Sequence, residues 1–294
     1  MTHITGNTKL LGVIGCPIHH SLSPVMHNAA LAYRASCLGL ASLDYIYVPL
    51  KIEPTDLGVA LAGMAAMGWQ GFNVTIPHKQ AIMPFLSEIS PLAQAVGAVN
   101  TVWRRAGIWC GTNTDVHGFL APLRVLDRSW KSVNVCILGG GGAARAVIAA
   151  CTQLGCAAIH VVGRDWTKLM ALQDSLSHMD LPIAIQIHSW TDLPHLLPQM
   201  GLVVNTTPIG MHPQVEDSPL SAAAIAQLPP QALVYDLIYT PRPTKLLTLA
   251  QEQGYRVLDG LDMLVQQGAA AFEQWVGEKP SVAVMRQAAL ECLP

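Results

Sequence analysis

Apolar and polar positions along the chain change period every few residues, and the changes mark out its elements. Leu10-Leu-Gly-Val-Ile14 is an unbroken apolar run stopped at Gly15, the pattern of a buried strand. Ser23-Pro24 then reads as an N-cap followed by proline at the first helical position, opening a helix over 25–34. Tyr45-Ile-Tyr-Val-Pro49 is rich in strand formers, a helix spans Thr55 or Asp56 to 67, and Gly71-Phe-Asn-Val-Thr-Ile76 is a third strand stopped by Pro77. Ser90-Pro91 opens another helix by the same capping logic, to about Val96, and 98–103 with 108–112 forms a hairpin over 104–107. This is α/β alternation without a nucleotide fingerprint.

From Lys131 the texture changes. Ser132-Val-Asn-Val-Cys-Ile-Leu138 is a continuous apolar strand of the parallel kind covered on both faces. It runs into Gly139-Gly140-Gly141-Gly142-Ala143-Ala144, then into the helix 145–154 closed by Gly155, then into the strand 157–162. The spacing is Gly139-x-Gly141-x-x-Ala144. In such a turn the first glycine permits the tight bend and the second lets backbone N–H groups approach a pyrophosphate. The third small residue lets helix and strand pack, and the helix N-terminus faces the anion. Packing alone would also explain a glycine turn; the strand before it, and the helix and strand after it, favour a dinucleotide. Further strands follow at 201–205 and 232–236, with a helix from Thr244 to Gln253 and a strand at 256–258.

The tip of the second strand bears on the cofactor. NAD enzymes carry a carboxylate there for the ribose 2′-OH, whereas this chain has Gly163-Arg164-Asp165. The planar fork of Arg164 suits a 2′-phosphate. Asp165 beside that phosphate is unfavourable if it points inward, so NADP is expected ahead of NAD.

Composition raises one alarm and settles several questions. Only 12% of the 294 residues are charged and 51% are apolar, with a mean hydropathy of +0.35. That invites a membrane reading. The longest uncharged stretches, 10–33, 57–78 and 193–215, are each broken by Pro, His, Gln or Asn, so none offers the ~20 continuous apolar residues of a spanning helix. The polar start, 1–9, has no apolar core of a signal peptide. A net charge of −2 excludes a nucleic-acid surface built on clustered cations. Seven scattered cysteines without a C-x-x-C read as free thiols in a reducing compartment, the cytoplasm.

Scarce charge also points to candidate chemistry. Lys79 is the one charge between Leu57 and Leu86, and Asp115 the one between Arg105 and Arg124. Brought together at strand ends, they make a proton donor and its orienting partner; an ordinary structural ion pair would look the same from position alone. Ser21 and Ser23 read first as caps. His19, His20 and His27 lack partners at ligand spacing, so no metal is expected.

The motifs taken in order resemble the shikimate dehydrogenases. They are His20-Ser-Leu-Ser-Pro24, Asn73-Val-Thr-Ile-Pro-His-Lys79, Gly97-Ala-Val-Asn-Thr101, Gly111-Thr-Asn-Thr-Asp115, Gly139-Gly-Gly-Gly-Ala143, Asn205-Thr-Thr-Pro-Ile-Gly-Met211, Asp236-Leu-Ile-Tyr239 and Gly260-Leu-Asp-Met-Leu-Val-Gln-Gln267. The resemblance implies a two-domain α/β fold with a cleft between an α/β substrate domain, 1–115 plus 261–294, and a Rossmann-type NADP-binding domain, 116–260. It implies reversible reduction of 3-dehydroshikimate to shikimate by NADPH, in chorismate and aromatic amino-acid biosynthesis.

Residue by residue, the resemblance makes Lys79 the catalytic lysine and Asp115 its carboxylate partner. Ser21, Ser23, Thr75, Asn100, Asp115, Tyr239 and Gln267 become substrate-binding positions. Gly139, Gly140, Gly141, Gly142 and Ala143 take the pyrophosphate turn, Arg164 the 2′-phosphate, and Leu237 and Gly260 the nicotinamide half. Which of Lys79 and Asp115 passes the proton stays open, with Lys79 preferred. The implied partners are a small-molecule substrate and NADP, with no nucleic acid, membrane or metal, in a monomer or homodimer.

Three features depart from the family pattern. Val116-His117-Gly118 follows the Asn-Thr-Asp motif where Gly is usual, Gly163-Arg164-Asp165 replaces Asn-Arg-Thr, and Gly140 and Ala144 stand where Ala and Ser are common. Asp165 keeps a quinate/shikimate dehydrogenase using NAD or both cofactors in view. A non-catalytic nucleotide-binding regulator is the alternative that intact Lys79 and Asp115 oppose.

Overall fold

A computed structural model describes residues 4–40, 43–177 and 183–293; residues 1–3 of the polar start, and 294 at the far end of the expected substrate domain, lie outside them. The backbone separates into two compact units, Met1–Gly118 with Val265–Pro294, and Phe119–Leu264. The chain passes between them within the helices Asp115–Arg124 and Gly260–Val276.

The first unit holds β1 (Lys9–Gly15), β2 (Tyr45–Lys51), β3 (Gly71–Val74), β4 (Glu88–Ile89), β5 (Thr101–Arg105) and β6 (Ile108–Thr112), in the sheet order β2-β1-β3-β5-β6-β4. β1 pairs in parallel with β2 and β3, while β3–β5 and β5–β6 are antiparallel. Pro49 is accommodated because β2 is an edge strand and β1 is its one partner. The hairpin turn is tighter than expected. Ala106 and Gly107 both take positive φ, 49° and 85°, which suits the right-handed twist of paired strands. β3 stops two residues early, at Val74, although the Thr75 N–H still donates to Ile14 O of β1, and the chain then enters a short helix, His78–Ala81, that the apolar pattern does not reveal.

Two capping expectations come out differently. Ser90 caps its helix as expected, accepting the Ala93 N–H at 3.2 Å. Ser23 is not a cap: Leu22 holds the N-cap place, Ser23 is the first residue of the helix Ser23–Cys37, and Ser21 Oγ accepts the Ser23 N–H at 3.3 Å. Pro24 is as well placed at the second helical position as at the first, since the early N–H groups of a helix have no intrahelical acceptor.

The second unit holds β7 (Asn134–Leu138), β8 (Ala158–Gly163), β9 (Ala184–Ser189), β10 (Leu202–Asn205), β11 (Leu233–Asp236) and β12 (Arg256–Leu258). All six are parallel, in the order β12-β11-β10-β7-β8-β9. This is the doubly wound order, and it reverses between β7 and β10, where dinucleotides bind at the carboxyl ends of the strands. β7, β10 and β11 read as unbroken apolar runs because helices cover both faces. Cys136, Leu138, Val203 and Val234 are buried in one cluster with Leu193, Leu197 and Leu246. The helix Trp166–Ser177 and the edge strand β9 have no counterpart in the sequence reading.

Candidate active site and cofactor turn

Lys79 and Asp115 reach each other from elements that the chain builds separately. Lys79 sits on the short helix after β3, and Asp115 is the first residue of the helix after β6. Lys79 Nζ lies 2.7 Å from Asp115 Oδ2, with side-chain exposures of 20% and 9%. Asn113 fixes the approach: its Oδ1 accepts the Asp115 N–H at 3.0 Å, while its Nδ2 donates to Ala98 O at 2.9 Å. The unusual Val116-His117-Gly118 therefore follows directly into helix, with Val116 buried.

Asn100 is the hub behind this pair. Its Nδ2 donates to Asp115 Oδ1 at 2.8 Å and lies 3.3 Å from Gln267 Oε1, and its Oδ1 accepts the Thr114 N–H at 2.7 Å. The Asn100 carbonyl receives Asn73 Nδ2 at 3.1 Å, and Asn73 Oδ1 accepts the Tyr47 hydroxyl at 2.7 Å. Ser23 is buried near the Tyr47 hydroxyl. Three of the expected substrate positions, Asn100, Asp115 and Gln267, thus join one polar network, and Ser23 lies beside its Tyr47 end. Ser21 and Thr75 are half-buried and stand outside it. Tyr239 belongs to the second unit, half-buried beyond β11, where burial raises its phenol pKa.

Tyr47, Asn73, Asn113 and Thr114 received no role from the sequence. Their signal was available. Asparagine is depleted in strands, and Asn73 is the sole polar residue of β3, all four of whose residues are buried. Beneath this network lies His27, fully buried and stacked on Tyr47 at 4.3 Å. Neither ring nitrogen has a partner at hydrogen-bond geometry, Asn73 being the nearby amide. Burial pushes its pKa down to about 3.

In the second unit the glycine turn divides by function. Gly139 has φ +103°, and a Cβ there would stand 2.8 Å from Thr206 Oγ1. The Thr206 hydroxyl itself donates to Leu138 O at 2.8 Å. At Gly141 and Gly142 a Cβ would meet no atom. Gly141 is the N-cap of the 13-residue helix Gly142–Leu154, and no side chain caps its first turn. Gly141 and Gly142 are exposed, while Ala144 is fully buried. This cradle fits the pyrophosphate of a dinucleotide.

Asp165 does not compete with Arg164 for the space beside it. Its carboxylate accepts the Lys168 N–H at 3.1 Å and pairs with Lys168 Nζ at 3.5 Å, so it serves the start of its own helix. These N–H donors lower its pKa. Arg164 is exposed and free of ion pairs among the described residues, and it fits a 2′-phosphate. Leu237 and Gly260 are in contact: a Cβ on Gly260 would stand 2.0 Å from Leu237 O. Asp236, also without a role from the sequence, accepts Asn205 Nδ2 at 3.0 Å, the Ile238 N–H at 3.1 Å and Thr244 Oγ1 at 2.7 Å. Burial outweighs these donors and raises its pKa to about 6. Among the described residues, no three His, Cys, Asp or Glu side chains converge as a metal site.

Comparison with known proteins adds to this geometry. The family model described as the shikimate dehydrogenase substrate binding domain matches residues 13–102, and that of the shikimate 5′-dehydrogenase C-terminal domain matches residues 260–290. The chain is 55% identical over 291 residues to the shikimate dehydrogenase (NADP(+)) of Microcystis aeruginosa, covering 99% of each. A shikimate dehydrogenase solved in complex with NADP+ superposes with a TM-score of 0.89 at 36% identity, over 100% of this chain and 98% of that one. A Listeria monocytogenes shikimate 5-dehydrogenase in complex with shikimate and NAD gives 0.86 at 33%, over 98% of each.

Proposed function

The chain belongs to the shikimate dehydrogenase family, and we propose on that premise that it is an NADP-dependent oxidoreductase interconverting 3-dehydroshikimate and shikimate. The reaction places it in chorismate and aromatic amino-acid biosynthesis. The observation that carries the reading is the Lys79–Asp115 pair held by Asn100. The first unit would bind substrate and the second NADP.

NADPH, when bound, supplies the hydride that reduces the ketone carbon. The protein's share is to hold the substrate and to manage the proton at the carbonyl oxygen. Lys79 Nζ, a three-proton donor, delivers a proton to that oxygen and avoids a bare alkoxide, while Asp115 holds the ammonium in place. Asn100 in turn holds Asp115 and shares its amide with Gln267. A substrate rich in hydroxyls needs such neutral partners, because each hydroxyl left unmatched would be a buried group without a hydrogen bond. Gly139 to Ala143 would hold the pyrophosphate, Arg164 the 2′-phosphate, and Leu237 with Gly260 the nicotinamide half. Ser21, Ser23, Thr75 and Tyr239 complete the proposed substrate set.

A second reading, quinate oxidation with NAD, rested on Asp165. That carboxylate is engaged by its own helix, which favours NADP. The seven cysteines, all free, support a cytoplasmic enzyme, and no helix among the described residues is long and apolar enough to cross a membrane. It is proposed to act as a monomer or homodimer. The test is oxidation of shikimate and of quinate, followed at 340 nm with NADP and with NAD. Shikimate with NADP is the expected combination; turnover of quinate with NAD in its place, or no turnover, overturns the reading.

A further inference from the structure

The end of the second unit's sheet away from the glycine turn carries a cavity of ≈ 430 Å³. Its walls come from the approach to β7 and from the first residues of β11 and β12, and they include Arg128, Ser129, Ser132 and Arg256. The volume falls within the roughly 300–1,000 Å³ of small-molecule sites. It is one strand length from the cofactor turn, roughly 15 Å for the five residues of β7.

The charges in it are unbalanced. Among the described residues six ion pairs join other cations to carboxylates, and neither Arg128 nor Arg256 is in one of them. Arg128 is half-buried, lies over the Trp130 ring at 5.0 Å and gives one N–H to Gln231 O at 3.2 Å. Burial lowers its pKa, the positive charge of Arg256 adds to that, and Cys156 opposes it. Two guanidinium groups facing one cavity repel until an anion sits between them. The carboxylate on the wall, Asp127, is exposed and pairs with neither. Ser129 and Ser132 add neutral hydroxyl donors.

We propose that this cavity is a binding site for a small dianion bearing phosphate or carboxylate oxygens, distinct from the cofactor turn. The planar forks of the two arginines match either oxyanion.

The test uses the whole enzyme with saturating NADP, so that the cofactor's own phosphate subsites are filled. Inorganic phosphate and malonate are titrated at ionic strength fixed with sodium chloride, and binding is read by calorimetry and by the rise in Tm. Saturable binding of either ion is expected, and comparing the two tells which oxyanion the site prefers. Arg256→Gln, at an exposed position, should weaken it ~10- to 100-fold, the worth of a charged hydrogen bond, with the KM for NADP and the kcat unchanged. Arg128→Lys, which keeps the charge and loses the fork, should weaken it similarly. Absence of saturable binding for both ions, or undiminished binding in Arg256→Gln, overturns the proposal.

Discussion

Lys79 Nζ stands 2.7 Å from Asp115 Oδ2, although the two residues are 36 positions apart. The other Asp115 oxygen is held by Asn100, so the carboxylate cannot turn away from the lysine without breaking a buried bond.

Lys79→Ala should therefore lower kcat by ~10²–10⁴-fold, the usual contribution of a positioned acid, with a much smaller change in KM for shikimate. Lys79→Arg keeps the charge but not a transferable proton, and should recover little activity. Steady-state rates at several pH values check this. Unchanged turnover in Lys79→Ala would assign the proton to another group.

The glycine turn predicts a split between stability and binding. Gly139→Ala meets both a positive φ and Thr206 Oγ1 at 2.8 Å, and should destabilise the enzyme by about 1–3 kcal/mol. Gly141→Ala and Gly142→Ala enter open space and should leave urea unfolding nearly unchanged while raising the KM for NADP. Equal stability losses at all three positions would contradict the assignment of the cradle.

Arg164 and Asp165 should separate as cleanly. Arg164→Ala is expected to raise the KM for NADP by ~10- to 100-fold, the worth of a charged hydrogen bond, and to leave that for NAD alone. Asp165→Ala removes a helix cap and should lower the Tm slightly without shifting the preference between cofactors. A switch towards NADP in Asp165→Ala would mean that its carboxylate faces the ribose after all.

Two buried groups give opposite responses to pH. His27 titrates near 3 in the fold rather than at its ordinary 6.5. As pH falls below 6.5 the unfolded chain takes up a proton that the folded chain refuses, so stability present above 6.5 is lost towards pH 3. The full shift corresponds to on the order of 4–5 kcal/mol. Asp236 is raised from its ordinary 3.8 to about 6, so its contribution falls as pH rises from 4 to 6. That loss is on the order of 3 kcal/mol. His27→Leu should flatten the acid limb of urea stability between pH 7 and 5. Asp236→Asn, whose amide can still meet Thr244 Oγ1, should be no less stable than wild type at pH 8. An unaltered acid limb in the first variant, or a large loss at pH 8 in the second, would refute the respective assignment.

Much of the second unit was legible along the chain. A parallel strand covered on both faces must be apolar throughout, so β7, β10 and β11 announce themselves, and a glycine turn after such a strand has few alternatives. The first unit was less legible where polar side chains decide the geometry. Nothing in a linear pattern says that Ser21 rather than Ser23 accepts the first N–H of its helix, or that β3 ends at Val74 rather than at Ile76. The helix carrying Lys79 is one turn long, too short to show a period of 3.6.

By itself the sequence determined the α/β alternation, the glycine cradle, and the identity of the few charges that interrupt apolar stretches. These follow from periodicity, from backbone freedom at glycine, and from the cost of burying a charge, all of which act locally. Tertiary structure decided what those charges do. It set Asn100 against Asp115 and Gln267, turned Asp165 to its own helix, and left Arg128 and Arg256 facing one cavity. Hydrogen bonds and ion pairs act over about 3 Å in space, and sequence separation carries no information about which polar groups will meet at that distance.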